Sequence, residues 1–311
     1  MQTVRRHTKT VSIGSIKIGW NEPIRIQSML TCDTTDVNAC IEEITRLDAV
    51  DCEIIRLTVP NQKSVDSLPL IREEMSKRGI ERPIVADVHF NPKLAVNVCE
   101  FVDKVRINPG NYADRKKFEV REYTDTQYQE ELERIEQKLI PLIKNLKKYG
   151  NSLRVGTNHG SLSDRLMNRY GDTPEGMVES AMEFLRILRK YYFEETVLSM
   201  KSSNPKVMID AYRKLVKIMG NEDMHYPLHL GVTEAGNELD GRIKSAIGIG
   251  TLLCEGLGDT IRVSLTEPSE NEIPVAMSIL QSTRTRIYNT DFISCPSCCR
   301  TFLTWQVRQR K

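Results

Sequence analysis

Val102-Asp-Lys-Val-Arg-Ile-Asn-Pro-Gly-Asn111 is the stretch whose reading decides the fold. Val102, Val105 and Ile107 suit a short buried strand, and Pro109-Gly110 must end it. Side chains alternate across a strand, so Arg106 and Asn108 share one face at its C-terminal end. A cation beside an amide, just before a glycine turn, can meet a ligand anion. One such stretch is a weak signal, but the same short pattern recurs along the chain.

Apolar β-type runs alternate with longer helical stretches. The predicted strands are Ile24–Ser28, Cys52–Leu57, Pro83–Val88, Val102–Ile107, Ser152–Gly156, Thr196–Met200, Pro227–Gly231 and Thr260–Leu265. The predicted helices are Asp36–Ala49, Gln62–Arg78, Pro92–Glu100, Tyr123–Lys148, Pro174–Tyr191, Pro205–Met219, Gly241–Cys254 and Glu270–Ser282. Eight βα pairs between residues 24 and 283 match the roughly 250 residues of a (β/α)₈ TIM barrel. A doubly wound open sheet is the competing arrangement, but the Gly-rich fingerprint expected after its first strand is missing. The expected class is therefore α/β, with a TIM barrel over residues 1–285. In the longer connection 112–150, Leu132, Ile135 and Leu139 fall at helical spacing within a charged run, which reads as an outer-ring helix with one solvated face.

At 311 residues the chain can bury a large core. Lys and Arg total 44 against 42 for Asp and Glu, so no global field points to nucleic acid. The basic end Arg308-Gln-Arg-Lys311 reads as a solvated tail. Met1–Thr10 carries charges but no apolar core of a secretory signal, and no uncharged apolar run approaches the roughly 20 residues of a membrane span. Cys32, Cys40, Cys52, Cys99 and Cys254 are scattered through predicted elements, while Cys295, Cys298 and Cys299 crowd together. That usage predicts a reducing cytoplasm and one metal site rather than a disulfide framework.

In a TIM barrel the chemistry sits at the C-terminal ends of the strands. Those ends carry Arg56; Asp87 and His89; Arg106 and Asn108; Arg154 and Asn158; Lys201; His229, Thr233 and Glu234; Arg262 and Ser264. Five cations, Arg56, Arg106, Arg154, Lys201 and Arg262, thus gather at one mouth. A single strand-end Arg is ordinarily a surface or salt-bridged residue, which does not explain five strands ending alike. Like charges in one concavity repel unless an anion balances them, and the planar Arg fork matches phosphate. The mouth therefore reads as a site for a small, multiply charged phosphate ester. Glu234, in Gly231-Val-Thr-Glu-Ala-Gly236, is flanked by glycines and placed to pass a proton. Asp87 and His89 are placed to orient a hydroxyl; a satisfied core histidine is the competing reading for His89 and the favoured one for mid-strand His229. Metal ligation by Asp87 and Glu234 stays open, without a His-rich set beside them. Cys295-Pro-Ser-Cys298 has ligand spacing for zinc or an iron–sulfur cluster, and a redox pair or an inert turn is the alternative.

Taken together, Pro23-Ile-Arg-Ile-Gln-Ser-Met29, Ile54-Ile-Arg-Leu-Thr58, Ala86-Asp-Val-His-Phe90, Val105-Arg-Ile-Asn-Pro-Gly-Asn111, Arg154-Val-Gly-Thr-Asn-His-Gly-Ser161, Leu228-His-Leu-Gly-Val-Thr-Glu-Ala-Gly236, Gly258-Asp-Thr-Ile-Arg-Val-Ser264 and Cys295-Pro-Ser-Cys298 closely resemble the 4-hydroxy-3-methylbut-2-enyl diphosphate synthase family of the non-mevalonate isoprenoid pathway. The resemblance implies a barrel that binds 2-C-methyl-D-erythritol 2,4-cyclodiphosphate. It also implies a [4Fe-4S] cluster that passes electrons from ferredoxin or flavodoxin to open the ring and remove a hydroxyl. Carried over by position, Arg56, Arg106, Arg154, Lys201, Arg262 and Ser264 would hold the diphosphate. Asp87, His89, Asn108, Asn158 and His229 would line the pocket, Glu234 would be the acid/base, and Cys295 and Cys298 would be the first two cluster ligands. The family's third cysteine and its ligating Glu come later than Lys311, so residues 286–311 are expected to be the beginning of a truncated [4Fe-4S] domain. The 112–150 connection resembles the larger plant-type form, whose inserted domain is not found in this sequence. A homodimer is expected by resemblance. The alternatives are a non-catalytic phosphate-ester binder on the same barrel and a pterin-binding transferase resembling dihydropteroate synthase.

Overall fold

The computed structural model describes residues 4–112 and 123–290. An antiparallel hairpin comes first, β1 (Val11–Ile13) and β2 (Ile16–Ile18). Eight parallel strands follow: β3 (Arg25–Met29), β4 (Ile54–Thr58), β5 (Ile84–Val88), β6 (Lys104–Ile107), β7 (Ser152–Asn158), β8 (Thr196–Lys201), β9 (His229–Leu230) and β10 (Thr260–Ile261). Neighbours in sequence pair in sequence order, and β10 pairs with both β3 and β9. The ring closes where Leu198 of β8 bridges Leu228, with the Leu198 amide donating to the Pro227 carbonyl at 3.0 Å. The eight-stranded barrel expected from the βα alternation is thus the fold.

The helices that follow the strands form the outer ring: α1 (Val37–Ala49), α2 (Gln62–Lys77), α3 (Pro92–Asn97), α4 (Pro109–Tyr112), α5 (Asp125–Tyr149), α6 (Asp164–Tyr170), α7 (Pro174–Lys190), α8 (Pro205–Asn221), α9 (Glu238–Cys254) and α10 (Glu272–Ser282). Their starts obey local chemistry. Asn61, Asn91, Thr173 and Asn204 each accept a hydrogen bond from an orphan amide of the first turn, and proline opens α3, α7 and α8. On α5, a capping box joins Thr124 to Gln127, and Ile135, Leu139, Leu142, Ile143 and Leu146 are buried against the barrel.

Two cores result. The larger lies between the outward strand faces and the helices. The smaller fills the barrel's N-terminal end, where Val11, Ile13 and Ile18 of the hairpin pack on Ile54, Val85 and Val197. The arm before the hairpin is tied down by Asp259, which accepts from Arg5 at 2.8 Å, from Thr8 at 3.0 Å and from the Leu228 amide at 2.8 Å. The lumen therefore has an apolar floor and opens at the strands' C-terminal ends.

Several boundaries differ from the sequence expectation. The hairpin, α4 and α6 are additional elements, too short to show a period. Pro109-Gly110, expected as a turn, starts one helical turn, because proline is preorganised for a first helical position. The runs 227–231 and 260–265 keep two ladder residues each. The stretch 92–100 divides into α3 and a 3₁₀ turn, Val98–Glu100.

Candidate functional site

Parity along each strand, carried from strand to strand by register, sets what faces the lumen. Met29 pairs with Arg56, Asp87 with Arg106, Arg106 with Arg154, Asn158 with Lys201 and His229 with Thr260. Two residues above Ile54, Val85 and Val197 of the floor stand Arg56, Asp87 and Ser199. A layer that most barrels fill with branched apolar side chains is here charged.

Asp87 is the hub of that layer. Its Oδ2 accepts from Arg56 Nη2 at 2.6 Å and its Oδ1 from Arg106 Nη1 at 2.9 Å. His89 Nε2 lies 3.2 Å from Oδ2 and 2.6 Å from Arg106 Nη1, which makes that nitrogen the acceptor toward the guanidinium. Burial pushes the Asp87 carboxyl up, but Arg106 and Arg56 outweigh it and hold the group well below its ordinary value. Arg106 Nη2 also donates to the Gly156 carbonyl at 2.9 Å and to Asn158 Oδ1 at 3.3 Å.

The remaining cations are less well matched. Arg154 is fully buried, and none of its three guanidinium nitrogens has a hydrogen-bond partner among the described residues. The same holds for Arg56 Nε and Nη1 and for His229 Nε2, while His229 Nδ1 lies 2.8 Å from Thr260 Oγ1. Burial, opposed by Asp87 and reinforced by Arg106 and Arg262, lowers Arg56 to about 10. Burial and then Arg56, Arg154, Arg262 and Arg106 push the Lys201 amine well below its usual range. Burial, Arg154 and Lys201 do the same to His229, which is therefore neutral. Buried donors without partners are costly, so a chamber that collects them is built for something that accepts.

Glycines make the room. A Cβ on Gly156 would lie 2.6 Å from Arg106 Nε and 3.0 Å from Ser199 Oγ, so only glycine lets the guanidinium cross the lumen there. A Cβ on Gly110 would sit 1.6 Å from the Ser161 carbonyl oxygen, and the buried Asn108 Oδ1 accepts from the Gly110 amide at 3.2 Å. Asn108 Nδ2 is left without a partner among the described residues.

The other predicted residues lie at the rim. Arg262 is partly buried, with Nη2 donating to Glu272 Oε1 at 3.1 Å and Nη1 3.7 Å from Met29 Sδ. Asn158 and Ser264 are half-buried, and His89 keeps a third of its side chain exposed. Glu234 is exposed and holds φ +51°, a left-handed conformation unusual for a side-chain-bearing residue. No ion pair joins it to the lumen cations among the described residues. Thr233 anchors this loop through its amide to the Ser202 carbonyl at 3.2 Å. Cys295 and Cys298 lie outside the described residues.

Reading strand ends alone passes over Lys104, Glu272 and Gly156. Lys104 had a signal, since it stands two residues before Arg106 on the same strand face. Glu272 had none: it reaches Arg262, the Leu265 amide and Ser28 from the start of α10. Among the described residues no three His, Cys, Asp or Glu side chains are grouped to hold a metal ion, and no helix is long and apolar enough to cross a membrane.

A family model described as the GcpE TIM-barrel domain matches residues 8–277. The chain is 55% identical over 289 residues to the 4-hydroxy-3-methylbut-2-en-1-yl diphosphate synthase (flavodoxin) of Leptospira interrogans, covering 93% of this chain and 44% of that protein. It is 54% identical over 273 residues to the chloroplastic 4-hydroxy-3-methylbut-2-en-1-yl diphosphate synthase (ferredoxin) of Arabidopsis thaliana, covering 88% of this chain and 37% of that protein. The chain thus spans less than half the length of these relatives. Among solved structures, dihydropteroate synthase from Thermus thermophilus superposes with a TM-score of 0.53 at 14% identity, covering 87% of this chain and 99% of that one. At that identity the likeness is one of fold alone.

Proposed function

The chain belongs to the GcpE TIM-barrel family, and from that membership we propose that its barrel binds 2-C-methyl-D-erythritol 2,4-cyclodiphosphate for reductive ring opening and dehydroxylation to 4-hydroxy-3-methylbut-2-enyl diphosphate. The observation that carries the reading is the lumen itself. Arg56, Arg154 and His229 present buried nitrogens without partners among the described residues, and Asp87 is a buried carboxylate already shared by two guanidiniums. A cyclic diphosphate supplies the oxygens and the negative charge that such a chamber lacks.

In this reading Arg56, Arg106, Arg154, Lys201 and Arg262, with Ser264, hold the diphosphate. Asp87 and His89 fix the Arg106 fork, and Asn108, Asn158 and His229 line the cavity. The apolar floor of Val11, Ile13 and Ile18 keeps water from entering at the far end, which strengthens every charge interaction above it. Glu234, on the rim and held in the left-handed conformation, passes a proton to the departing oxygen. Cys295 and Cys298 are soft thiolate donors suited to two corners of a [4Fe-4S] cluster. Such a cluster supplies the electrons the reaction consumes. Ferredoxin or flavodoxin as donor, a homodimeric assembly and a cytoplasmic location belong to the same reading.

Two measurements test it. Calorimetric titration with the cyclodiphosphate is expected to show one site per chain, lost on Arg154→Met; absence of binding refutes the anion chamber. Anaerobic reconstitution with iron and sulfide, followed by iron counting, an absorbance spectrum and turnover with a reduced donor, tests the reductive step. Binding without any turnover reduces the proposal to recognition of a phosphate ester.

A further inference from the structure

We propose that Lys104 is the electrostatic floor of the anion chamber, an amine that takes up a proton when a polyphosphate enters the mouth above it. The inference deepens the phosphate reading and rests on it. Lys104 opens β6 and pairs in register with Val85 of the apolar floor and with Ser152. Its side chain is fully buried, and Nζ has no hydrogen-bond partner among the described residues. Arg106 stands one inward step above it, about 7 Å along the strand.

The groups facing this layer come from every strand. They are Gln27 on β3, Arg56 on β4, Asp87 on β5, Arg106 on β6, Ser152 and Arg154 on β7, Ser199 and Lys201 on β8, His229 on β9, and Thr260 with Arg262 on and just beyond β10. Beneath it are Val11, Ile13 and Ile18. Both Asp87 oxygens are engaged by Arg56 and Arg106, and Glu272 serves Arg262. Asp103, next in the chain, faces the other way and is held by Arg72 and the Ile84 amide. Among the described residues an ammonium at Lys104 thus has neither a hydrogen bond nor an ion pair, and burial with Arg154 and Arg56, only partly opposed by Asp103, pushes the amine well below its usual range.

A bound di- or polyanion offsets that field. Lys104 enters the lumen one inward step below Arg106, and its role is that of a positioning residue that acts through charge. A methionine would fill the same layer without titrating, and the retained amine makes binding and proton uptake one event. Lys201 and His229 share the field, so the proton must be assigned by substitution.

The test is calorimetric titration of the full chain with inorganic pyrophosphate at about pH 8, in buffers of different ionisation enthalpy. Wild type is expected to take up more protons than Lys104→Met, with the difference approaching one, while the ligand's own protonation cancels between the two. The wild-type affinity is expected to fall by up to about tenfold more per pH unit than that of the variant. Equal uptake by both proteins overturns the role of Lys104 and leaves the anion chamber standing. Failure of the wild type to bind pyrophosphate overturns both. Should Lys104→Met not fold, wild-type protein labelled at lysine Cε carries the test, with the Lys104 signal assigned as the amine-type signal that persists in Lys201→Met. One amine-type signal is expected to move to the ammonium position on adding pyrophosphate, and no such signal refutes the inference.

Discussion

Replacing Asp87 by asparagine removes the one carboxylate that both Arg56 and Arg106 share inside the barrel. The oxygen–nitrogen distances are 2.6 and 2.9 Å, which puts the charge centres about 4 Å apart and makes each pair worth about 4 kcal/mol gross at an effective dielectric of 20. An amide keeps one acceptor and avoids the carboxylate's desolvation, so the expected net loss is about 3–5 kcal/mol. At about 2–4 °C per kcal/mol the melting temperature falls by roughly 10 °C, read by calorimetry or circular dichroism. Because the lost charge was a counterion, saturating pyrophosphate is expected to raise the variant's Tm by more than it raises the wild type's. The folded-state value of the Asp87 carboxyl lies well below its ordinary 3.8. Its contribution is therefore present at neutral pH and lost as pH falls through that depressed value. The gap between wild type and variant should be constant above about pH 5 and close in stronger acid. A variant that melts within about 1 °C of wild type at neutral pH refutes the hub, since no buried pair would then have been broken.

Gly156→Ala places a Cβ against Arg106 Nε; pyrophosphate affinity is expected to drop at least about tenfold, with about 1–3 kcal/mol of stability lost to overpacking. Unchanged affinity would show that the guanidinium does not need that gap. Ile13→Ala hollows the floor of the barrel, where Ile13 is fully buried, and urea denaturation is expected to report a loss of about 2–5 kcal/mol. A loss well under that range means the hairpin is an ornament on the barrel rather than its plug. Glu234→Gly relieves a φ of +51° and is expected to stabilise the chain by about 1 kcal/mol. Glu234→Gln should leave pyrophosphate binding unchanged but cut turnover of the reconstituted enzyme by about 10²–10⁴-fold. Full turnover in the glutamine variant removes Glu234 from proton transfer.

The sequence by itself determined what depends on neighbours along the chain. Period-two apolar runs followed by period-3.6 stretches specified eight βα units. Asn61, Asn204 and Thr173 marked helix starts, and Pro92, Pro174 and Pro205 opened the first turns behind their caps. Parity within a strand placed Arg106 with Asn108, and the recurrence of cations at strand ends pointed to an anion. Only the tertiary structure decided which of those faces share a lumen and what each cation meets there. The hairpin that floors the barrel is two three-residue strands, too short for a period to register. Glu272 reaches Arg262 from a helix, Gly156 clears a path for a side chain on another strand, and Asp87 serves two guanidiniums because register sets Asp87 level with Arg106 and Thr58, two residues beyond Arg56. Local propensity and alternation are written in consecutive residues. Register, closure and the balance of buried charge are sums over strands far apart in the chain, and they exist only once the ring has closed.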